Sequence, residues 1–259
     1  MSAWRAAHEA LGRLLDSAAG APWAREVGEL AARVRPGRGG PDPLLLKAFT
    51  FLAERIPALR GEERPWEEPA FRLFSEAFML SREFSGLLWR GLTWVKPPSY
   101  GAAVDLHSGP GVCLEVAARL WSRLVAVDPS EESLKIVEER LRGVGASSYR
   151  LVRGDYVSLA GLVREPVSIV IVASPSNWFY ELREVVGRVY SVLEPGGCIL
   201  LLAPLEWGEP SPITPFVRAL GGSSRLDAGY VEDWLRMEGF TKIRVRRGDL
   251  LTLMTAVKP

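Results

Sequence analysis

Three aspartates, Asp105, Asp128 and Asp155, come at or just after the ends of short apolar runs that are typical of buried strands. If these strands are parallel, their carboxyl ends meet at one edge of a sheet. Carboxylates gathered there suit a ligand whose polar groups are hydrogen-bond donors. A pyrophosphate would be repelled by an acid as close as Asp105. A lone aspartate after a strand is more often a turn or helix cap, so the ordered set carries the hypothesis.

A glycine-rich turn follows the first of these aspartates, in the sequence Val104-Asp-Leu-His-Ser-Gly-Pro-Gly-Val112. Gly109 and Gly111 let the backbone approach a ligand closely, and the helix that follows would present its first amide groups to an anion. The dinucleotide-binding fingerprint fails because Leu114 stands where its third small residue is required. The sequence also lacks a phosphate loop of the ATP-binding type. The turn therefore predicts a ligand site of another kind.

Alternating strands and helices must position these residues. Short apolar runs predict strands, and amphipathic stretches between them predict helices. The predicted strands are Ala102–Leu106, Arg123–Val127, Tyr149–Val152, Val167–Ala173, Cys198–Ala203, Phe240–Arg247 and Leu250–Val257, and the predicted helices are Val112–Trp121, Ser130–Arg142, Trp178–Leu193 and Tyr230–Glu238. Because several strands are apolar throughout, we predict an α/β fold with a mostly parallel sheet covered on both faces.

The first 98 residues show helical apolar spacing instead, interrupted by breaker sequences at 36–41 and near 57–69 and closed by Pro97-Pro98. We therefore predict a helical N-terminal domain at 1–98 and an α/β domain at 99–259. Five of the nine tryptophans lie in the helical part. Core packing is the usual role of such residues, and an aromatic pocket for a flat or cationic group is the alternative.

The composition is that of an ordinary folded protein. Apolar residues make up 47% of the 259 residues and the formal net charge is +1, which argues against disorder and against a nucleic-acid partner. Two cysteines and two histidines exclude a disulfide scaffold and favour a protein without a metal centre. No apolar run is long enough for a membrane span and no signal peptide is recognisable, so we expect a cytoplasmic protein. An arginine-rich chain with one asparagine and no glutamine favours a thermophile.

At its glycine-rich turn and strand ends the chain resembles the class I methyltransferases that use S-adenosylmethionine. Asp105-Leu-His-Ser-Gly109-Pro-Gly111 is similar to the family's first motif, whose loop holds the amino-acid end of the cofactor. Val125-Ala-Val-Asp128-Pro129 is similar to the motif that binds the ribose hydroxyls, and Arg153-Gly-Asp155-Tyr156 to the one beside the adenine. The turns at Leu193–Gly197 and Glu238–Phe240 fit the same plan. The resemblance covers residues 102–259.

This resemblance implies a Rossmann-like, seven-stranded, mostly parallel doubly wound sheet with an antiparallel last strand, preceded by the α-helical N-terminal segment. It also implies S-adenosylmethionine as the cofactor. The residues that it places at the cofactor are Asp105, His107, Ser108, Gly109, Gly111, Asp128, Pro129, Asp155, Tyr156 and Ser174.

His107 departs from the family pattern, which has glycine or sometimes alanine at this position. Its side chain would project toward the cofactor loop or the substrate. One interpretation is functional: His107 contacts the cofactor or acts as a base near the transferred methyl. A second is an ordinary substitution that the loop tolerates, and a third is a degenerate site in which the larger side chain weakens cofactor binding. His107 is the sole side chain of the α/β part with an ordinary pKa near neutrality. The candidate catalytic residues are His107 and, after the fourth predicted strand, Asn177 and Tyr180.

The stretch at 173–180 bears on the acceptor. It lacks the N-P-P-Y motif of enzymes that methylate amide or exocyclic amino nitrogens, and it lacks the His-x-Trp motif of plant-type O-methyltransferases. A helical segment ahead of the cofactor domain is similar to the plan of small-molecule O- and C-methyltransferases. There the segment roofs the active site or forms a dimer. We therefore expect a methyltransferase with a small-molecule acceptor, and a homodimer through the N-terminal helices as one role of that segment.

Two alternatives stay open. Nicotianamine synthases join a helical segment to a similar fold and transfer an aminocarboxypropyl group, and Ser108-Gly109-Pro110 echoes their glycine loop, although Gly111 fits the methyltransferase form better. The other alternative is a non-catalytic, methyltransferase-like protein that binds a partner through its N-terminal helices.

Overall fold

The computed structural model describes residues 3–17, 20–21, 24–33, 42–60, 62, 64–95, 101–222 and 227–259. The breaker sequence expected at 36–41 and the prolines at 97–98 lie outside these residues. The helices are α1 (Ala3–Ser17), α2 (Ala24–Arg33), α3 (Pro43–Leu59), α4 (Pro69–Met79), α5 (Arg82–Trp94), α6 (Val112–Ala117), α7 (Glu131–Gly143), α8 (Leu159–Leu162), α9 (Leu182–Val192), α10 (Thr214–Ala219) and α11 (Ala228–Met237), with 3-10 helices at Pro65–Glu67 and Pro175–Phe179. The strands are β1 (Ala102–Leu106), β2 (Leu124–Asp128), β3 (Tyr149–Arg153), β4 (Val167–Val172), β5 (Leu193–Ala203), β6 (Thr241–Arg247) and β7 (Thr252–Val257).

The seven strands form one sheet in the order β3-β2-β1-β4-β5-β7-β6. The pairs from β3 to β5 are parallel, and β7 lies antiparallel between β5 and β6. The strand order reverses between β1 and β4, and ligands of doubly wound sheets bind at the carboxyl ends of strands beside such a reversal. The Rossmann-like sheet with an antiparallel last strand, preceded by helices, is thus confirmed.

Helices cover both faces of the sheet, which explains why β1, β2 and β4 are buried at every position. On one face, residues such as Ala103 and Ile171 share a core with α6, α7 and the N-terminal helices. On the other face, Val104 and Val170 pack with α8, α9 and α11. The helices of residues 3–94 are therefore a layer on one face of the sheet.

A group of aromatic rings joins this layer to the α/β part. The Phe49 ring lies 5.4 Å from Phe74 and 4.9 Å from Phe216 of α10, measured between centroids. Phe78 meets Trp178 at 5.5 Å. Aromatic pairs at such separations contribute about 1 kcal/mol each beyond the area that they bury. Trp178 is buried and belongs to this core.

Several predicted boundaries were wrong. β5 begins at Leu193, so the stretch Leu193–Gly197 that was expected as a turn belongs to the strand. The helix expected at Trp178–Leu193 is split into the 3-10 helix at Pro175–Phe179 and α9 at Leu182–Val192. The helix expected at Val112–Trp121 ends as α6 at Ala117. Pro175 begins the 3-10 helix, and Ser174 caps it by accepting the amide of Ser176. Among the described helices, none is both long and apolar enough to cross a membrane.

Candidate functional site

The loop between β1 and α6 has a backbone that requires glycine at two positions. Gly109 and Gly111 have φ values of 51° and 77°, in the left-handed region that side chains other than glycine rarely adopt. A Cβ on Gly109 would lie 2.9 Å from the hydroxyl of Ser174, and one on Gly111 would lie 3.0 Å from the side chain of Val137. The loop therefore lies directly against β4's end on one side and α7 on the other.

Asp128, at the end of β2, holds this loop in place. Its two carboxylate oxygens accept the amides of Gly109 at 2.8 Å and Ser130 at 2.9 Å. Burial nevertheless raises the pKa of Asp128 to about 6, because the two amide hydrogen bonds lower it by less than the loss of water raises it. The carboxylate thus connects the ends of β1 and β2, and it takes up a proton at a higher pH than an ordinary aspartate does.

Asp105, in β1, is fully buried, and neither of its oxygens has a hydrogen-bond partner among the described residues. Burial raises its pKa well above the ordinary value, and the charge of Asp128 adds to the increase. A buried polar group without partners destabilises the folded state unless a ligand supplies them. A ligand group that donates a hydrogen bond or carries a positive charge would supply the partner that this carboxylate lacks.

His107 follows in the loop with a φ of 54°, which is uncommon for a residue with a Cβ. Its ring is fully buried and packs against that of Tyr180, with centroids 4.1 Å apart and the ring planes tilted by 34°. Both ring nitrogens lack a partner within the described part of the chain. Burial lowers the pKa of His107 to about 3, so the imidazole is neutral at pH 7. The structure thus brings two of the candidate catalytic residues into direct contact.

The end of β4 supplies the neighbouring polar side chains. The hydroxyls of Ser174 and Ser176 are 2.8 Å apart. Asn177, the third candidate catalytic residue, donates through Nδ2 to the carbonyls of Leu106 at 3.3 Å and Ser174 at 3.2 Å. Its Oδ1, like the hydroxyl of Ser108, is buried and has no partner in the described residues. These acceptors and donors surround the same loop as Asp105.

Asp155, in the turn after β3, differs from the other two aspartates. Its Oδ1 accepts the amides of Val157 at 3.0 Å and Ser158 at 3.2 Å, which is the geometry of a turn cap. Tyr156 beside it donates its hydroxyl to Glu184 at 3.4 Å. Its ring lies 5.3 Å from that of Tyr180. The turn therefore borders the same site, although its carboxylate is already partnered.

A cavity of about 250 Å³ opens between this turn and the helical layer. Pro129, Gly154, Asp155 and Tyr180 line it on the α/β side, together with Arg153. Arg64, Trp66 and Glu67 line it from the helical layer. Trp66 of the N-terminal part is thus at the site. The sequence had indicated only that several tryptophans of that part could form an aromatic pocket, without indicating which of them.

Arg140 of α7 is a residue that sequence reasoning missed. It donates to the carbonyl of Pro110 at 2.8 Å and pairs with Glu115 at 2.6 Å and with Glu76 of α4 at 2.5 Å. One guanidinium therefore links the glycine loop, α6 and the helical layer. These partners are distant in sequence, and an arginine on an amphipathic helix carries no signal of such contacts.

Comparisons with known proteins agree with this architecture. Residues 103–197 match the family model of a methyltransferase domain. The curated relative Methyltransferase cfoB of Aspergillus candidus is 21% identical over 117 residues, which is 45% of this chain and 36% of that protein. The match therefore spans about a third of the relative's length.

Two solved structures share the fold. An O-methyltransferase family protein from Burkholderia thailandensis is 14% identical, with a TM-score of 0.61 over 91% of this chain and 83% of that one. The S-adenosylmethionine-dependent methyltransferase SibL, in its apo form, is 16% identical, with a TM-score of 0.58 over 84% of this chain and 74% of that one.

Within the α/β part, residues 103–197 are similar to a methyltransferase domain, the kind of domain that binds S-adenosylmethionine in class I methyltransferases. The resemblance and the cofactor inferred from the sequence are thereby confirmed. The residues present suit this cofactor, because the partnerless oxygens of Asp105 and the free hydroxyl of Ser108 lie beside a loop that two glycines keep open. In the described part of the chain, no group of three or more His, Cys, Asp or Glu side chains is arranged to hold a metal ion.

Proposed function

We propose that the protein is a methyltransferase that transfers the methyl group of S-adenosylmethionine to a small-molecule acceptor. The buried, partnerless carboxylate of Asp105 beside the glycine loop carries this proposal, because it matches a ligand with a cationic amino-acid end. The O-methyltransferase from Burkholderia thailandensis, whose fold covers most of the chain, favours a hydroxyl oxygen as the first acceptor to test.

We assign the cofactor-binding residues along the carboxyl edge of the sheet. Asp105, Ser108, Gly109, Gly111 and Ser174 would hold the amino-acid end, with His107 beside it. Asp128 and Pro129 would hold the ribose, and Asp155 and Tyr156 the adenine. The order of these groups along the edge follows the strand order β1, β2, β3 that the sheet shows.

When bound, S-adenosylmethionine would supply a methyl group attached to a sulfonium sulfur, and the thioether that departs is a good leaving group. The chain must then position the acceptor and exclude water, and a strong base is needed only for an acceptor that keeps its proton. With a pKa of about 3, His107 is a weak base at pH 7. We therefore favour a contact role for His107, whose ring contact with Tyr180 would help to exclude water from the site. Asn177 keeps a free Oδ1 that can accept a hydrogen bond from an acceptor hydroxyl.

The helical layer, residues 3–94, would form the roof of the acceptor site. Its residues Arg64, Trp66 and Glu67 already line the cavity beside the cofactor edge. A homodimer through the N-terminal helices is the other role that we consider. Sedimentation at several protein concentrations distinguishes the two, since a roof requires no self-association.

Isothermal titration with S-adenosylhomocysteine tests the proposal. We expect binding that the Asp105→Asn variant loses, because the variant keeps the shape and removes the charge. Absence of binding at millimolar ligand would contradict the proposed function.

Incubation with S-adenosylmethionine and a panel of small hydroxylated acceptors then identifies the product. S-adenosylhomocysteine indicates methyl transfer, whereas methylthioadenosine would indicate the aminocarboxypropyl alternative. Binding without turnover of any acceptor would favour the partner-binding alternative.

A further inference from the structure

We infer that Trp66 of the helical layer forms one wall of the adenosine part of the cofactor site, so that cofactor binding requires residues outside the methyltransferase domain. This inference rests on the proposed function. It goes beyond it because the matched domain covers residues 103–197 and does not include the helical layer.

The position of Trp66 is set by its short helix and by its neighbours. It lies in the 3-10 helix at Pro65–Glu67, which begins with proline. Its ring centroid is 5.0 Å from that of Phe179 and 5.5 Å from that of Tyr180. Both partners follow the end of β4, so Trp66 packs directly on the segment that carries the candidate catalytic residues.

Trp66 shares its cavity with the residues assigned to the adenosine. Pro129 follows the ribose-binding Asp128, and Gly154 and Asp155 follow β3 on the adenine side. The indole and the phenol ring of Tyr180 line the same cavity. An aromatic wall beside a flat purine provides a stacking surface, and loss of such a surface weakens the binding of a base by about tenfold or more.

The indole nitrogen of Trp66 strengthens this reading. It is buried, although the residue as a whole is half-buried, and it has no hydrogen-bond partner among the described residues. Buried indole N–H groups normally find an acceptor. A purine nitrogen or a ribose oxygen in the adjoining cavity would be such an acceptor.

The helical layer is held firmly enough to contribute a binding residue. Arg72 of α4, a few residues after Trp66, pairs with Glu132 of α7 at 2.5 Å. Glu76 of the same helix pairs with Arg140. Both pairs connect the layer to α7, the helix that follows Asp128. The position of Trp66 relative to the ribose edge is therefore constrained by these two ion pairs and by its ring contacts with Phe179 and Tyr180.

Binding of two ligands to three variants tests the inference. S-adenosylhomocysteine carries both ends of the cofactor, and methylthioadenosine lacks the amino-acid end. We expect Trp66→Ala to weaken both ligands by a similar factor of about ten or more. Asp105→Asn should weaken S-adenosylhomocysteine and leave methylthioadenosine almost unchanged. Trp66→Phe keeps an aromatic face but loses the indole N–H, so it should weaken both ligands by less than Trp66→Ala does.

Tryptophan fluorescence provides an independent readout. The change that ligand binding causes in the wild type should disappear in Trp66→Phe and persist in Trp89→Phe, since Trp89 is exposed on α5. Trp66→Phe also remains informative if Trp66→Ala fails to fold. The inference is overturned if Trp66→Ala binds both ligands like the wild type, or if it weakens S-adenosylhomocysteine alone. A wild-type protein that binds neither ligand would overturn the proposed function as well.

Discussion

The two ends of the site are built in opposite ways. At the inner end, formed by β1 and the glycine loop, Asp105 and His107 are fully buried and their polar atoms have no partners within the described residues. At the outer end, in the turn after β3, Asp155 is half-buried and its carboxylate already accepts two amides and the hydroxyl of Ser158.

This difference separates residues that need a ligand from residues that need only a turn. The outer carboxylate would adopt its geometry in any chain with this turn, because its partners are two and three residues away. The inner groups reduce the stability of the free protein, and such strain is common at functional sites. The inner end is therefore the stronger indication of function, although the sequence motif at the outer end looks equally good.

The largest expected effect is that of Asp105→Asn. Removing the charge that would pair with the cofactor's ammonium should weaken S-adenosylhomocysteine by about a hundredfold, as expected for a buried charge-assisted hydrogen bond. The free energy of unfolding should not fall, because Asp105 has no hydrogen-bond partner for the substitution to remove. Calorimetric titration and thermal unfolding measure the two quantities. A variant with weaker binding and lower stability would show that Asp105 has a structural role instead.

The second effect is a pH dependence that comes from Asp128. Its pKa is raised from 3.8 to about 6, so the free carboxyl takes up a proton as the pH falls through 6. Since the ribose hydroxyls of the proposed cofactor would donate to the ionised form of Asp128, affinity for S-adenosylhomocysteine should fall by about tenfold between pH 7 and pH 5. The free energy of unfolding of the free protein changes in the opposite direction. Because the pKa of Asp128 is higher in the folded than in the unfolded chain, the stability that its protonated form contributes at low pH is lost as the pH rises from 3.8 to about 6.

Titrations at a series of pH values check this dependence, and Asp128→Asn provides the comparison. The variant should bind weakly at every pH, and the part of the pH dependence that is due to residue 128 should be absent. An unchanged pH profile in the variant would assign the titration to another group, with Asp105 as the first candidate because its pKa is also raised.

A smaller effect is expected from Arg140→Met, which removes the link between the inner end and the helical layer. The variant should lose about 2 kcal/mol of unfolding free energy, because Glu76 and the carbonyl of Pro110 lose a shared partner. Affinity for S-adenosylhomocysteine should fall by a few-fold, since the glycine loop keeps its hydrogen bond to Asp128. Chemical denaturation and calorimetry test both. A loss of affinity as large as that of Asp105→Asn would contradict an indirect role.

The smallest effect on binding is expected from Asp155→Ala. The turn loses its cap, which costs about 1 kcal/mol of stability, and affinity should fall by only a few-fold because Tyr156 and Trp66 would still contact the adenosine. Asp155→Asn, which keeps the acceptor oxygen, should restore the stability. If Asp155→Ala instead weakened binding as strongly as Asp105→Asn, the two ends of the site would be equivalent and the comparison above would be wrong.

Local pattern was enough to predict much of this molecule. Short apolar runs identified the seven strands, although only some of them are apolar throughout, and the spacing of Gly109 and Gly111 identified a loop whose φ values then required glycine. The positions of Asp105, Asp128 and Asp155 at strand ends also followed from periodicity. These features depend on residues within about ten positions of each other, where a sequence is informative.

The relationships across the fold were not available in the same way. Nothing near Trp66 indicates that it meets Tyr180, and nothing near Arg140 indicates that it contacts Pro110 and Glu76. Nor does the motif show that Asp155 is partnered while Asp105 is not. Contacts of this kind depend on how helices pack on the sheet, because burial and hydrogen bonding are properties of the assembled chain. The sequence by itself thus determined the order of the aspartates and the glycine loop along the site. The packing of the folded chain determined which of these groups have hydrogen-bond partners and which remain available to a ligand.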